Sequence, residues 1–158
     1  MSSTNIDELM SDIESKVNKM DLDEKVYKIV MVDDVKTISS SMKRELTFVN
    51  RKKENIRLVI TDFQDPEVAV DYLKKYKPDL LISDIKMPYL SGDKLVETIK
   101  KIYPDLPVIV VTGFATKENI LSVYKSDKNS IILSKPWAPE RFIEAVNQLL
   151  GTDFSWTD

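Results

Sequence analysis

The sequence predicts a single α/β domain, in which one parallel sheet is covered by helices on both faces. Short, continuous apolar runs recur along the chain, as is typical of strands buried on both sides. Between them lie segments with apolar residues three or four apart, the spacing of a helix that packs on one face. The chain has 158 residues and is 42% hydrophobic, which is the size and composition of one domain with a real core.

Five segments are predicted to be strands. Four are continuous apolar runs, and the other is a β-branched run with polar ends that suit the edge of a sheet. In chain order they are Lys28–Val32, Arg57–Thr61 (the edge candidate), Asp79–Ile82, Val108–Val111 and Ile131–Leu133.

A helical pattern follows each strand. Pro66 at a first turn behind Asp65 indicates a capped start, and Gly151 indicates a stop. The predicted helices are 35–50, 66–76, 91–102, 116–124 and 139–150.

Alternation of strands with helices of this length predicts parallel strands joined by right-handed crossovers. The simplest architecture is a flavodoxin-like (βα)5 doubly wound sandwich with strand order 2-1-3-4-5. In such a sheet a ligand site lies at the carboxyl ends of the strands.

Three segments are expected along the chain. Residues 1–24 read as an extra amphipathic helix, because Ile6, Ile13 and Met20 recur every seven residues with Met10 and Val17 between them. Residues 25–151 form the α/β domain. Residues 152–158 are a tail or the start of a linker.

Composition excludes several classes of chemistry. There is no cysteine and no histidine, so thiolate sites, serine–histidine machinery and a phosphohistidine intermediate are excluded. The net charge of -3 argues against direct nucleic-acid binding by this domain. No apolar run is long enough to span a membrane, and the polar, acidic start does not resemble a signal peptide. We therefore expect a cytoplasmic protein without membrane contact.

Polar residues follow four of the five predicted strands. Asp33 and Asp34 follow the first, Asp84 the third, Thr112 the fourth and Lys135 the fifth. These ends share one edge of a parallel sheet, so the carboxylates, hydroxyl and ammonium are expected to converge.

Carboxylates this close need a cation, and an all-oxygen donor set favours Mg²⁺, with Mn²⁺ as a substitute. A carboxylate beside a metal and a lysine suits attack on a phosphoryl group.

Each of these features has an ordinary explanation when it stands alone. An Asp pair after a strand is usually a turn or a cap, and Lys-Pro is usually a loop. The hypothesis depends on all of them occurring at one edge, on separate strands. A phosphohydrolase or nucleotide-binding enzyme is disfavoured, because no Gly-rich loop follows the first strand and the chain has only three glycines.

From about residue 27 to residue 150 the chain resembles the receiver domains of two-component response regulators. Ile29–Asp34 resembles the family's first strand and acid pair, and Leu81–Pro88 with Gly92 resembles its phosphorylation segment. Val110–Gly113 and Leu133–Pro136 resemble its fourth strand with a switch hydroxyl and its fifth strand with a lysine.

The resemblance implies a role for each residue. Asp84 is the phosphoacceptor, with Thr112 and Lys135 contacting the phosphoryl group. Asp33, Asp34, Asp84 and the backbone carbonyl of Lys86 hold the Mg²⁺, and the Lys135–Pro136 peptide is cis. The phosphodonor is a histidine kinase or a phosphotransfer protein. The domain is not an enzyme toward other substrates, since it assists only its own phosphorylation and dephosphorylation.

One position departs from the family pattern, and it keeps a second function open. Ile132 occupies the place where the family often has Tyr or Phe, so the usual coupled motion of threonine and aromatic ring is in doubt. The alternative is a docking or dimerisation module with the same fold that works without phosphorylation. A homodimer through the face 115–126/131–150 or through the N-terminal helix is a further expectation.

Overall fold

The computed structural model describes residues 5–14, 24–113, 116–118, 121 and 129–157. Five strands form one sheet: β1 (Lys25–Val32), β2 (Ile56–Phe63), β3 (Leu80–Ser83), β4 (Val108–Thr112) and β5 (Ile131–Ser134). The helices that lie wholly within the described residues are α1 (5–14), α2 (Lys36–Asn50), α3 (Pro66–Lys75), α4 (Gly92–Ile102) and α5 (Pro139–Leu150).

The sheet has the predicted order. All four pairings are parallel, and the strands run β2-β1-β3-β4-β5, which confirms the flavodoxin-like topology. The strand β1 begins at Lys25, three residues before the predicted start, because it pairs with β2 over eight residues. Its first residues are not buried, and so hydrophobicity does not reveal them.

The helices begin and end where local chemistry indicates. The Asp65 side chain accepts a hydrogen bond from the backbone N–H of Glu67, as a cap should, and Pro66 opens α3. The helix α5 ends at Gly151, whose φ of 71° lies in the left-handed region that glycine adopts without strain. Of the predicted helix 116–124, residues 117, 118 and 121 are helical and most others lie outside the described part.

Each face of the sheet has its own apolar core. One core lies under α2 and α5 and includes Met42, Leu46 and Phe142. The other lies under α3 and α4 and includes Leu73, Leu95 and Ile99. The central strands β3 and β4 are buried along their whole length, which explains their unbroken apolar sequences.

The segment after Gly151 packs back on the domain. Phe154 is 4% exposed and belongs to the core under α2 and α5. The Asn147 side chain donates to the Phe154 carbonyl at 2.8 Å and accepts from the Phe154 N–H at 2.8 Å. Trp156 then places its ring 5.0 Å from the ring of Phe48 on α2. Residues 152–157 therefore contribute to the folded unit, whatever follows them.

The extra N-terminal helix is present as α1, and its apolar side chains are not covered. Ile6, Leu9, Met10 and Ile13 are between 50% and 61% exposed. The predicted continuation of this heptad pattern at Val17 and Met20 lies outside the described residues. Within the described part of the chain, no helix is long and apolar enough to cross a membrane.

Candidate functional site

Three carboxylates meet at the carboxyl edge of the sheet. Asp33 and Asp34 follow β1, Asp84 follows β3, and the two strands are neighbours with Val32 opposite Ser83. One carboxylate oxygen from each lies within 4.8 Å of the others. Asp33 and Asp84 are buried, whereas Asp34 is exposed. The arrangement gives one acidic cluster with an open side, as predicted from the positions of the strand ends.

Backbone hydrogen bonds hold the two buried acids in place. The N–H of Asp33 donates to the Phe63 carbonyl at 3.0 Å, and the N–H of Asp84 donates to the Val32 carbonyl at 3.0 Å. Each bond extends the sheet one residue beyond its strand. Each acid also accepts a backbone N–H on Oδ1, Asp33 from Val35 at 2.9 Å and Asp84 from Ile85 at 2.8 Å.

Lys135 joins the cluster from the far edge of the sheet. Its Nζ donates to Asp33 Oδ2 at 2.9 Å and to Asp84 Oδ2 at 3.2 Å. Because β4 separates β5 from β3, only a long side chain can reach these acids. The Lys135 N–H donates to the Thr112 carbonyl at 2.9 Å, and the Lys135–Pro136 peptide is cis as expected.

Burial and the neighbouring charges shift the ionisation of this cluster. Burial raises the pKa of Asp33, and this effect outweighs the hydrogen bonds from the Val35 N–H and the Lys135 ammonium, which lower it. Burial alone would lower the pKa of Lys135. Its hydrogen bond to Asp33 and the charges of Asp33 and Asp84 reverse this, so the pKa of the ammonium is raised. Lys135 is therefore held in its charged form between the carboxylates.

The other two predicted residues lie at the same edge. Thr112 ends β4, is 4% exposed and pairs in the sheet with Ser134, directly before Lys135. Lys86 follows Asp84 by two residues and is exposed. The roles of the Thr112 hydroxyl toward a phosphoryl group and of the Lys86 carbonyl toward a metal stay predictions.

Gly92 fixes the loop that carries Asp84. Its N–H donates to the Ile85 carbonyl at 2.6 Å. A Cβ at this position would lie 1.8 Å from the Asp84 carbonyl oxygen, closer than any contact allows. The family resemblance includes Gly92 in the phosphorylation segment. No pattern in the sequence indicates that Gly92 closely approaches the backbone of Asp84.

A second contact that the sequence did not reveal supports the Lys135 loop. The Trp137 Nε1 donates to both carboxylate oxygens of Glu45 on α2, at 3.1 and 2.9 Å. The Trp137 ring meets the Phe142 ring edge-on at 6.3 Å. Trp137 is partly buried just before α5. The side chain of Ile132 is also partly buried and packs on the α3–α4 side.

The donor set of the cluster fits a hard cation. Three carboxylates, without a thiolate or imidazole donor anywhere in the sequence, match the ligand preference of Mg²⁺ or Mn²⁺. Asp34 gives the cluster one solvent-exposed side. The site can hold a divalent cation, present a carboxylate nucleophile and neutralise negative charge with an ammonium.

The comparisons with known proteins agree with this geometry. A family model described as response regulator receiver domain matches residues 29–147. A chemotaxis protein CheY homolog of Campylobacter jejuni is 32% identical over 131 residues, covering 79% of this chain and 93% of the relative. The crystal structure of a CheY-like response regulator receiver domain protein from Methanospirillum hungatei superposes with a TM-score of 0.69 and 26% identity, covering 80% of this chain and 95% of that one.

Other relatives are longer. The transcriptional regulatory protein DegU of Brevibacillus brevis is 29% identical over 125 residues, covering 79% of this chain. The match covers only 50% of DegU, so this chain corresponds to about half of that relative.

Proposed function

Because the chain belongs to the response regulator receiver domain family, and so to the proteins of two-component signalling, we propose that it is a phosphorylation-dependent switch with Asp84 as the phosphoacceptor. One observation carries the proposal: Asp33, Asp34 and Asp84 converge, and Lys135 contacts two of them. Clustered carboxylates repel each other and so destabilise the folded domain. A cluster of this kind therefore favours a functional role.

Mg²⁺ is the proposed cofactor, with Mn²⁺ able to replace it. Asp33, Asp34 and Asp84 are the side chains that would hold the ion, together with the backbone carbonyl of Lys86. When bound, the ion neutralises charge on the transferring phosphoryl group.

The residues of the chain then have separate roles in the transfer. An oxygen of the Asp84 carboxylate attacks phosphorus, the bond from phosphorus to the donor's imidazole nitrogen breaks, and that nitrogen takes up a proton. The Lys135 ammonium neutralises a phosphoryl oxygen, and the Thr112 hydroxyl donates to another. The product is an acyl phosphate whose new charge biases the surrounding surface toward a second conformation.

The donor must be another molecule, because this chain has no histidine from which a phosphoryl group could be transferred. We propose a histidine kinase or a phosphotransfer protein as the partner, in the cytoplasm. The chain acts on its own Asp84 and on no other substrate.

Intact mass is the first test. The full chain is incubated with phosphoramidate and Mg²⁺, beside Asp84→Asn and a matched Asp79→Asn variant. Asp79 is an exposed acid just before β3, so it lies at the end of this strand opposite to the site. We expect one labile phosphoryl addition in the wild type and in Asp79→Asn. The addition should be absent from Asp84→Asn, and from every sample in which a chelator has removed the Mg²⁺. An addition that survives in Asp84→Asn contradicts the assignment.

Ile132 favours one alternative. A partly buried Ile packed against the α3–α4 core replaces the aromatic side chain that often reports phosphorylation in the family. The alternative function is a docking or dimerisation module that works without phosphorylation. A well-folded wild type that accepts no phosphoryl group from small donors or from histidine kinases would support it.

A further inference from the structure

Among the residues that the structure describes, none covers the apolar face of the amphipathic helix α1. Its apolar residues have the spacing i, i+3, i+4 and i+7, and each is at least 50% exposed. At about 100° per residue, Asp7 and Glu14 flank this stripe on one side and Asp12 on the other. Residues 5–14 contain four acids and no base. A surface that accepts α1 should therefore be an apolar groove with basic edges.

Such a groove lies along the outer face of α2. Its apolar part is Phe48, 42% exposed, with Trp156 of the C-terminal segment packed beside it. The groove has a volume of ≈ 820 Å³. Its basic lining residues are Lys36, Lys43, Arg44 and Arg51.

The charges and lengths of the two elements match. Among the described lining residues Glu45 is the single acid, and its carboxylate already accepts the Trp137 N–H. From Lys36 to Arg51 the groove follows about 22 Å of helix, whereas α1 is about 15 Å long. An acidic helix with an apolar stripe thus fits lengthwise, with its flanking carboxylates toward the basic edges.

We propose that α1 of one copy docks in the α2 groove of a second copy, which returns its own α1 in the same way. All four apolar side chains of α1 are exposed to solvent in its own copy of the chain. This exposure favours a second copy as the occupant of the groove. A reciprocal exchange has two-fold symmetry and buries two helices in two grooves, doubling the contact. This inference stands independently of phosphorylation at Asp84.

Charge reversal on both sides gives the test. The groove variant carries Lys43→Glu and Arg44→Glu, and the helix variant carries Asp12→Lys and Glu14→Lys, all at exposed positions. Sedimentation velocity on the full chain is expected to show a wild-type dimer. Each variant alone should dimerise roughly tenfold or more weakly, because like charges then face each other. A mixture of the two variants should recover the dimer, because every docked helix then meets a groove of opposite charge.

Two controls make the outcome decisive. Lys74→Glu with Lys75→Glu makes the same charge change on α3, on the opposite face of the sheet, and should leave the dimer intact. Leu9→Glu with Ile13→Glu removes the apolar stripe at exposed positions and should give a monomer that still unfolds in one cooperative transition. A wild type that stays monomeric at all concentrations, a dimer that is indifferent to the groove variant, or a mixture that stays monomeric overturns the proposal.

Discussion

At the scale of single residues, the site is a balance of buried charges. Asp33 is 1% exposed and keeps its carboxylate beside Asp84 because a backbone N–H and the Lys135 ammonium face it. Removing one partner of a buried ion pair leaves the other charge uncompensated, and this is more damaging than replacing the pair. Stability and the proposed metal binding therefore depend on the same few atoms.

The first prediction concerns Lys135. Lys135→Met should lower the free energy of unfolding by about 1–3 kcal/mol in the presence of a chelator, because two carboxylates lose their shared ammonium. With Mg²⁺ present the loss should shrink, since a cation among the carboxylates restores neutrality. Urea unfolding with and without Mg²⁺ measures both values. An equal loss under both conditions would show that the lysine acts by packing alone.

The second prediction compares two glycines near the site. Gly92→Ala should destabilise the domain and suppress phosphorylation, because its Cβ would meet the Asp84 carbonyl oxygen at 1.8 Å. Gly113→Ala should be tolerated, since among the described residues its Cβ would meet the Lys135 Cβ alone, at 3.6 Å. Thermal melting and phosphorylation by phosphoramidate are measured on both variants. Equal behaviour of the two would contradict the close approach at Gly92.

At the scale of elements, two contacts connect segments outside the sheet with each other. The Glu45–Trp137 hydrogen bonds connect α2 with the loop between β5 and α5. Burial raises the pKa of Glu45, although the Trp137 N–H and the charge of Arg44 oppose this effect. The second contact is the C-terminal segment, which Asn147 holds against α2 and α5.

The third prediction follows from the raised pKa of Glu45. The folded state takes up this proton at a higher pH than the unfolded state, so the ionised carboxylate weighs against folding above its unfolded pKa. As the pH falls from 7 toward 4.5, the wild type should therefore gain stability relative to Glu45→Gln, which still accepts the Trp137 N–H. Urea unfolding at several pH values measures the difference. A difference that is constant with pH would remove the ionisation argument.

The fourth prediction concerns the C-terminal segment. Phe154→Ala should cost about 3–5 kcal/mol, as expected for deleting a buried aromatic ring. Val68→Ala serves as the control, because Val68 is 51% exposed on α3 and should change stability by only about 0.5 kcal/mol or less. Guanidinium unfolding gives both values. A small effect at Phe154 would mean that residues 152–157 are not part of the folded unit.

At the scale of the whole molecule, the sequence predicts the sheet and the site for the same reason. Strands buried on both faces must be apolar runs, so the polar residue that ends each run marks the carboxyl edge. Asp33, Asp84, Thr112 and Lys135 were found in this way. Helix ends at Asp65 and Gly151 followed from caps that depend on one or two neighbouring residues.

Features made by contacts distant in the chain could not be predicted in this way. The Glu45–Trp137 pair joins residues 92 positions apart, and neither residue type indicates the other. The packing of Phe154 depends on Asn147 and on a cleft that exists only after α2 and α5 have met. The sequence predicts that Lys135 converges with Asp33 and Asp84, but not that its ammonium donates to both of them.

The central claim is that Asp84 accepts the phosphoryl group, and chemical trapping tests it most directly. The phosphorylated chain is reduced with borohydride, which converts an aspartyl phosphate to homoserine, and its peptides are sequenced by mass spectrometry. We predict homoserine at position 84 alone, in samples that contained Mg²⁺ and a phosphodonor. Homoserine at Asp33 or Asp34, or at no position in a chain that has gained phosphoryl mass, would contradict the account.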